Sequence, residues 1–266
     1  MTIAAIAIVV TITALWVLAT QHLLPARIKW RVVGLALLLG ALSPLPILLA
    51  FDLGGVIRMP HDPGLDDALA ASLGLAAIPE ELVKAIAVVT VILLLRHHSV
   101  SHNDIEPATA FRLPILCGLG FAAVENIAYS LDVDLATMFS AKFEYPLIVP
   151  LARSILASLL HASLGCLMGL FFTRFAVEGR LRWSAAFAGY AAAVIGHAAV
   201  NWGLIAAVLI LFQSQRKIDQ IDVEALASHF LLAAILIPCV VLTAIVSVII
   251  MRRRLRPDRA RAEVAG

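Results

Sequence analysis

The chain has 266 residues, 62% of them hydrophobic and 14% charged, and a formal net charge of +2. An ordinary globular domain is ~45–50% apolar and ~25% charged, so too few polar residues remain here to cover a soluble surface. A mean hydropathy of +0.97 excludes a cytosolic enzyme, a disordered chain and a nucleic-acid-binding domain; this is an integral membrane protein.

A bilayer core of ~30 Å takes about 20 apolar residues per helix. By that ruler seven spans are expected in chain order, at about 3–21, 32–51, 69–95, 111–131, 146–173, 184–212 and 229–251. The apolar runs are continuous, without the alternation of a membrane β-barrel. The expected fold is therefore all-α: a polytopic helical bundle forming one membrane domain over 1–266. Its core lies at about 69–212, and a basic tail at 252–266 follows. The first run lacks a basic leader, and Arg27, Lys29 and Arg31 follow it, so it reads as a span rather than a signal peptide. Cys117, Cys166 and Cys239 sit in separate apolar runs with no C-x-x-C spacing and read as small buried hydrophobes.

Basic residues set the orientation. Fourteen Lys and Arg fall on one side: Arg27, Lys29, Arg31, Arg96, Arg112, Arg174, Arg180, Arg182 and six arginines of the tail. Four fall on the other, at Arg58, Lys142, Arg216 and Lys217, with most of the acidic loop residues. The N-terminus is expected outside and the C-terminus in the cytoplasm. His97, His98 and His102 then belong to a solvated cytoplasmic loop.

Two basic residues, Lys84 and Arg153, remain inside spans. With Glu80, Glu81, Glu125, His161 and His197 they make seven ionisable residues within the apolar segments, accompanied by Asn126 and Asn201. Each costs on the order of 2.5–3.5 kcal/mol at mid-bilayer, and such residues are rarely there without a partner or a task. Counted from the cytoplasmic end at ~1.5 Å per residue, Glu80, Glu125, His197 and His161 lie roughly 22, 21, 20 and 16 Å up their helices. Four helices of alternating direction thus present them to one layer, which points to a shared site.

Local spacing supports this. In Pro79-Glu80-Glu81-Leu82-Val83-Lys84 the ammonium reaches Glu81 at i, i+3 and Glu80 at i, i+4, while Pro79 disturbs the backbone beside two carboxylates. Gly118, Gly120, Ala122 and Ala123 permit close helix approach just before Glu125-Asn126. Ser154, Ser158 and His161 share a face of the fifth span, with Arg153 a little way round; His197 and Asn201 share a face of the sixth. Two His and a Glu suit catalytic zinc with a position left for water, the candidate ligands being His161, His197 and Glu125. The same residues suit metal-free hydrolysis, in which a Glu takes the proton of water while His and Asn donate to the oxyanion. Lys84 and Arg153 repel a dication, so the reading without a required metal is favoured. A proton-coupled transporter or channel uses similar clusters, but no repeat pairing two interrupted helices is evident; a non-catalytic scaffold is a third class.

Glu80-Glu81-x-x-Lys84, Gly118-x-Gly120-Phe121-Ala122-x-x-Glu125-Asn126, the Arg153…His161 span and His197-x-x-x-Asn201 occur in an order that resembles the PrsW family of intramembrane proteases, related to the CAAX prenyl endopeptidases. Lys84 departs from the CAAX-type pattern, which has Arg one residue later. The resemblance implies a multi-pass hydrolase of the bacterial cell membrane that cuts a membrane-embedded substrate, typified by a single-span anti-sigma factor. Nucleic acid has no part in it. It also implies catalytic roles for Glu80, Glu81, Glu125, His161 and His197 with Asn201 in support; Lys84, Asn126 and Arg153 are supporting residues. For the orientation, a periplasm-sensitive reporter fused after Gly266 should be silent and one placed in the 213–228 loop active; the opposite pattern overturns the assignment.

Overall fold

The computed structural model describes residues 2–24, 28–54, 65–97, 105–131, 147–175, 182–216, 238 and 241–253. Every regular element among them is helical. They are α1 (Thr2–Leu23), α2 (Trp30–Leu42), α3 (Leu45–Gly54), α4 (Leu65–Ala70), a π-helix (Ala71–Ala77), α5 (Ile78–His97), α6 (Pro107–Leu131), α7 (Ile148–Phe175) and α8 (Trp183–Arg216). A last helix, α9, covers 241–253.

Among the described residues, five helices are long and apolar enough to cross a membrane: Ile3–Leu23, Trp30–Leu49, Pro107–Leu131, Pro150–Arg174 and Trp183–Gly203. They correspond to five of the seven expected spans. The expected 69–95 span is helical throughout, as α4, the π-helix and α5 in direct succession, but Glu80, Glu81 and Lys84 interrupt its apolar run. Of the expected 229–251 span, only the portion in α9 and residue 238 lies within the described residues. Cys117 and Cys166 are free and buried; Cys239, His98 and His102 lie outside the described residues, and His97 is exposed at the end of α5.

The helix α6 forms the centre, with every residue from 110 to 122 buried. It packs against α1, α2, α5 and α7, and the apolar core extends through Val33, Val88, Val91, Leu116, Leu119, Leu164 and Phe172. Lipid tails offer no hydrophobic gain for helix association, so close backbone approach has to supply the packing. Gly118 and Gly120 do this in opposite directions, because residues two apart in an α-helix point about 200° from each other. A Cβ on Gly118 would meet the His161 carbonyl oxygen of α7 at 2.9 Å. A Cβ on Gly120 would meet the amide nitrogen of Ala41 in α2 at 2.9 Å and the carbonyl of Leu37. Gly165 of α7 answers from the other side, where a Cβ would lie 2.7 Å from the Cα of Ile115.

The helix preceding the site is widened for a local reason. Pro79 has no N–H and cannot close an i→i−4 bond. The chain spends the turn before it in π geometry, with Ile78 N–H bonded to the carbonyl of Leu73, five residues back. Such bulges recur at functional sites. Ala77 then packs with Val194 and Ala198 of α8, and Tyr190 OH donates to the Ile78 carbonyl at 3.4 Å.

Arg112, counted with the charges of the cytoplasmic side and second in the expected 111–131 span, is not solvated. It is 1% exposed within α6, and its Nη2 donates to the Leu24 carbonyl beyond α1 at 2.7 Å; Arg252 of α9 donates to the neighbouring Leu23 carbonyl. A helix C-terminus leaves carbonyls unsatisfied and carries partial negative charge, which draws both guanidinium groups onto the end of α1.

Filling the α2–α6 contact should be costly. Gly120→Ala is expected to lose on the order of 1–3 kcal/mol, the range for overpacking. Gly34→Ala, where a Cβ meets nothing within 4 Å, should be neutral or gain about 0.5–1 kcal/mol from reduced backbone freedom. Thermal unfolding in detergent measures both.

Candidate active site

Pro79 starts the regular α-helical turn that carries Glu80 and Glu81. Adjacent positions in a helix diverge by about 100°, so the two carboxylates face different surroundings. Glu80 lines a cavity of about 430 Å³ together with Glu125, Tyr129, Arg153, His161, His197 and Asn201, among apolar walls that include Leu156, Leu160, Val200 and Val241. Glu81 is 1% exposed and sits beneath it. Two neighbours in sequence are thus divided between cavity and core.

Lys84, 3% exposed, is the hub of the buried side. Its ammonium donates to Glu81 Oε1 at 2.7 Å and to His161 Nδ1 at 2.8 Å, lies 3.7 Å from Glu80 Oε2, and rests 4.0 Å from the centre of the Phe121 ring. On one side of it, Glu81 Oε1 also accepts from His197 Nδ1 at 2.8 Å. On the other, His161 Nε2 lies 3.0 Å from Glu125 Oε2, and Glu125 Oε1 accepts from Arg153 Nη2 at 3.0 Å. The two imidazoles meet edge to face, with centroids 5.4 Å apart and planes at 82°. The result is an unbroken sequence of contacts, Arg153–Glu125–His161–Lys84–Glu81–His197, drawn from four helices.

Donor and acceptor chemistry fixes the histidine tautomers. An ammonium only donates and a carboxylate only accepts. His161 must therefore accept at Nδ1 from Lys84 and donate Nε2–H to Glu125, which commits both ring nitrogens. His197 must donate Nδ1–H to Glu81, which leaves its Nε2 3.8 Å from Glu80 Oε2. That oxygen of Glu80 is buried and has no hydrogen-bond partner among the described residues. With the three carboxylates ionised and the imidazoles neutral, the cluster carries one net negative charge against the ammonium and guanidinium.

All seven ionisable residues that the sequence places in the apolar spans come together here. Asn201 lines the same cavity one turn beyond His197. Asn126 does not join them: it is 1% exposed, and neither amide atom finds a partner among the described residues. Ser154 bonds back to the Pro150 carbonyl at 2.6 Å, and Ser158 is buried with no partner for its hydroxyl among the described residues. Sequence reasoning passed over Tyr129, whose ring lies 3.6 Å from the Arg153 guanidinium carbon; its position four residues after Glu125 was the available signal. Phe121, tilted against His161 at 5.3 Å between ring centroids, was noted only as part of a motif. Val241 reaches the cavity from α9, and nothing in its sequence marks it.

Among the described residues, the group spaced to hold a metal ion is Glu80, His161 and His197, whose candidate ligand atoms lie within 4.8 Å of one another; the sequence pointed instead to Glu125 as the carboxylate. Two members fit a ligand role as they stand: Glu80 has an orphaned oxygen, and His197 has its second nitrogen held by a carboxylate in the usual metal-binding manner. His161 fits once it gives up one of its two bonds.

The sequence pattern of the PrsW family intramembrane metalloproteases matches residues 29–243, which includes every residue of this cluster. The chain belongs to the PrsW family. It is accordingly a multi-pass membrane hydrolase, an intramembrane peptidase acting on membrane protein within the bilayer. No curated protein and no solved structure matches it.

Removing one partner of a buried ion pair leaves an uncompensated charge, at a cost of about 3–5 kcal/mol. Lys84→Met should destabilise this PrsW-family protein by that order. The double variant Glu81→Gln/Lys84→Met should lose less than the two single losses added together, because the pair leaves as a unit. A double-mutant cycle on thermal stability in detergent reads the coupling directly.

Proposed function

We propose that the protein is an endopeptidase that hydrolyses a peptide bond of a single-span membrane protein, an anti-sigma-factor-like substrate in the bacterial cell membrane, with a water activated by Glu80. The observation that carries this reading is the division of the two adjacent glutamates. Glu80 lines the cavity, and its buried Oε2 has no hydrogen-bond partner among the described residues, whereas Glu81 is committed to Lys84 and His197.

In this scheme water sits between Glu80 and His197 Nε2. His197, its Nδ1–H held by Glu81, accepts one hydrogen of the water and orients it. Glu80 takes the other proton as the water oxygen attacks the scissile carbonyl, and then delivers it to the departing amine. The developing oxyanion needs a preorganised donor. The Asn201 amide, in the cavity wall one helical turn from His197, supplies it. This refines the expectation from sequence, in which His and Asn both donate. A neutral His197 that donates at Nδ1 is an acceptor at Nε2. His161 acts through Glu125 and Lys84, keeping Glu125 and the ammonium in register. Glu81, Lys84, His161 and Glu125 are therefore positioning residues, and Glu80, His197 and Asn201 touch the reacting atoms.

A second reading follows from the cluster of Glu80, His161 and His197 and from the family's description as metalloproteases. Those three residues would hold a zinc ion, which supplies Lewis-acid polarisation of the carbonyl and a more acidic bound water. Glu125 would then stand beside the ligand set rather than in it. The committed nitrogens of His161 and the ammonium beside Glu80 support the metal-free reading over this one.

Purified protein in liposomes, incubated with a panel of single-span membrane proteins, tests both. Glu80→Gln should abolish cleavage with near-normal thermal stability, since the amide has the same size and the Lys84 ammonium, 3.7 Å from Glu80, keeps its closer pairing with Glu81 at 2.7 Å. Asn201→Ala should slow cleavage by a factor of about 10²–10³, the worth of one oxyanion donor. Exhaustive chelation should leave the rate unchanged. Stoichiometric zinc whose removal stops cleavage and whose return restores it would establish the second reading instead.

A further inference from the structure

One cation of the cluster is not used up by it. Lys84 spends its ammonium on Glu81 and His161. Arg153 makes one hydrogen bond among the described residues, from Nη2 to Glu125 Oε1 at 3.0 Å, although a guanidinium carries five N–H donors in a fixed plane. That plane is set twice over. Glu125 holds one edge, and the Tyr129 ring lies against its face at 3.6 Å. Its Nε is buried with no hydrogen-bond partner among the described residues, and the side chain as a whole is 31% exposed and lines the cavity, so unspent donors are left at the cavity wall. The surrounding walls, Leu156, Leu160, Val200 and Val241, offer side chains with no donor.

A membrane-spanning substrate keeps its backbone hydrogen bonds within its own helix, because hydrocarbon offers no others. To bring a peptide carbonyl against Glu80, that helix must open locally, and the carbonyls it frees need donors. We propose that Arg153, held flat by Tyr129 and Glu125, takes up the backbone carbonyls of the substrate segment as its helix opens in the cavity. It is a binding residue that reads opened backbone instead of a particular side chain. The carboxylate of Glu125 at its edge disfavours an acidic substrate side chain as the acceptor and leaves a neutral carbonyl as the better fit. Tyr129 is a positioning residue for the guanidinium. This inference rests on the peptidase reading above.

The test uses the single-span protein that the wild type cuts in the liposome panel, in two forms: unaltered, and with two residues beside the cleavage site replaced by glycine to weaken the substrate helix. Arg153→Ala should lower kcat/KM at least tenfold on the unaltered form and less than threefold on the glycine form. Arg153→Lys should resemble Arg153→Ala, since a single ammonium cannot reproduce a planar fork of donors. Tyr129→Ala, which leaves the Glu125 ion pair intact, should show the same difference between substrates at smaller size, and it carries the comparison if Arg153→Ala fails to fold. Equal losses on the two substrates, or full activity of Arg153→Lys, would overturn the proposal and leave the peptidase reading standing. A wild type that cuts no member of the panel removes that reading and this inference with it.

Discussion

A single buried ammonium organises the interior of this protein. Lys84 is 3% exposed in a chain whose surroundings are hydrocarbon, where an unpaired charge is among the most expensive things a fold can hold. The cost is met by Glu81 at 2.7 Å and His161 at 2.8 Å, with Glu80 at 3.7 Å and the Phe121 ring at 4.0 Å. Each of these partners is then no longer free to be something else. Glu81 is fixed as the acceptor for His197, His161 is fixed as an acceptor at Nδ1, and through it Glu125 is fixed against Arg153. The arrangement of the cavity is the set of choices left once the ammonium has been satisfied.

That arrangement requires four helices to approach to within hydrogen-bond distance at one level, and the backbone provides for it. Gly118 and Gly120 let α6 press against α7 and α2 on opposite sides. The Gly118 contact is made at His161 itself, so a packing glycine sets the position of an ionisable side chain. Pro79 prevents an ordinary helical turn ahead of the glutamates and leaves a π-helix there. The wider turn packs on α8 near His197 through Ala77, Val194 and Ala198. Packing and site are in these places the same residues.

Adjacent glutamates with separate fates are the chemical consequence. One carboxylate must be dry, paired and immobile if it is to hold an imidazole by Nδ1. Another must face water and remain unpaired if it is to accept a proton. A helix meets both demands with consecutive residues, since a 100° rotation is enough to turn one toward the core and the other toward the cavity. The same logic separates Lys84 from Arg153: the buried cation has its partners in place, and the rim cation has one hydrogen-bond partner among the described residues, Glu125.

Much of this was present in the sequence. Composition alone required a membrane protein, because no soluble surface can be made from so few polar residues. Hydrophobic run lengths placed the spans of α1, α2, α6, α7 and α8, since bilayer thickness fixes helix length directly. The ionisable residues within those runs stood out for the same reason, and counting rise per residue brought Glu80, Glu125, His161 and His197 to one depth. Depth, however, is one coordinate out of three. Which nitrogen of each histidine meets which partner, which of Glu80 and Glu81 faces the cavity, and whether Glu80 or Glu125 stands with the two imidazoles depend on helix rotation and side-chain direction, and those are set by contacts between helices far apart in the chain. Arg112 shows the same limit, since its position at the start of a span gave only a charge near one membrane face, and its burial against the Leu24 carbonyl beyond α1 is a matter of packing. Residues without charge carried little: Val241 had no signal and Tyr129 only its spacing from Glu125, for an apolar or aromatic side chain in an apolar span is what lipid alone would select. Only the tertiary packing distinguishes the ones that line the cavity.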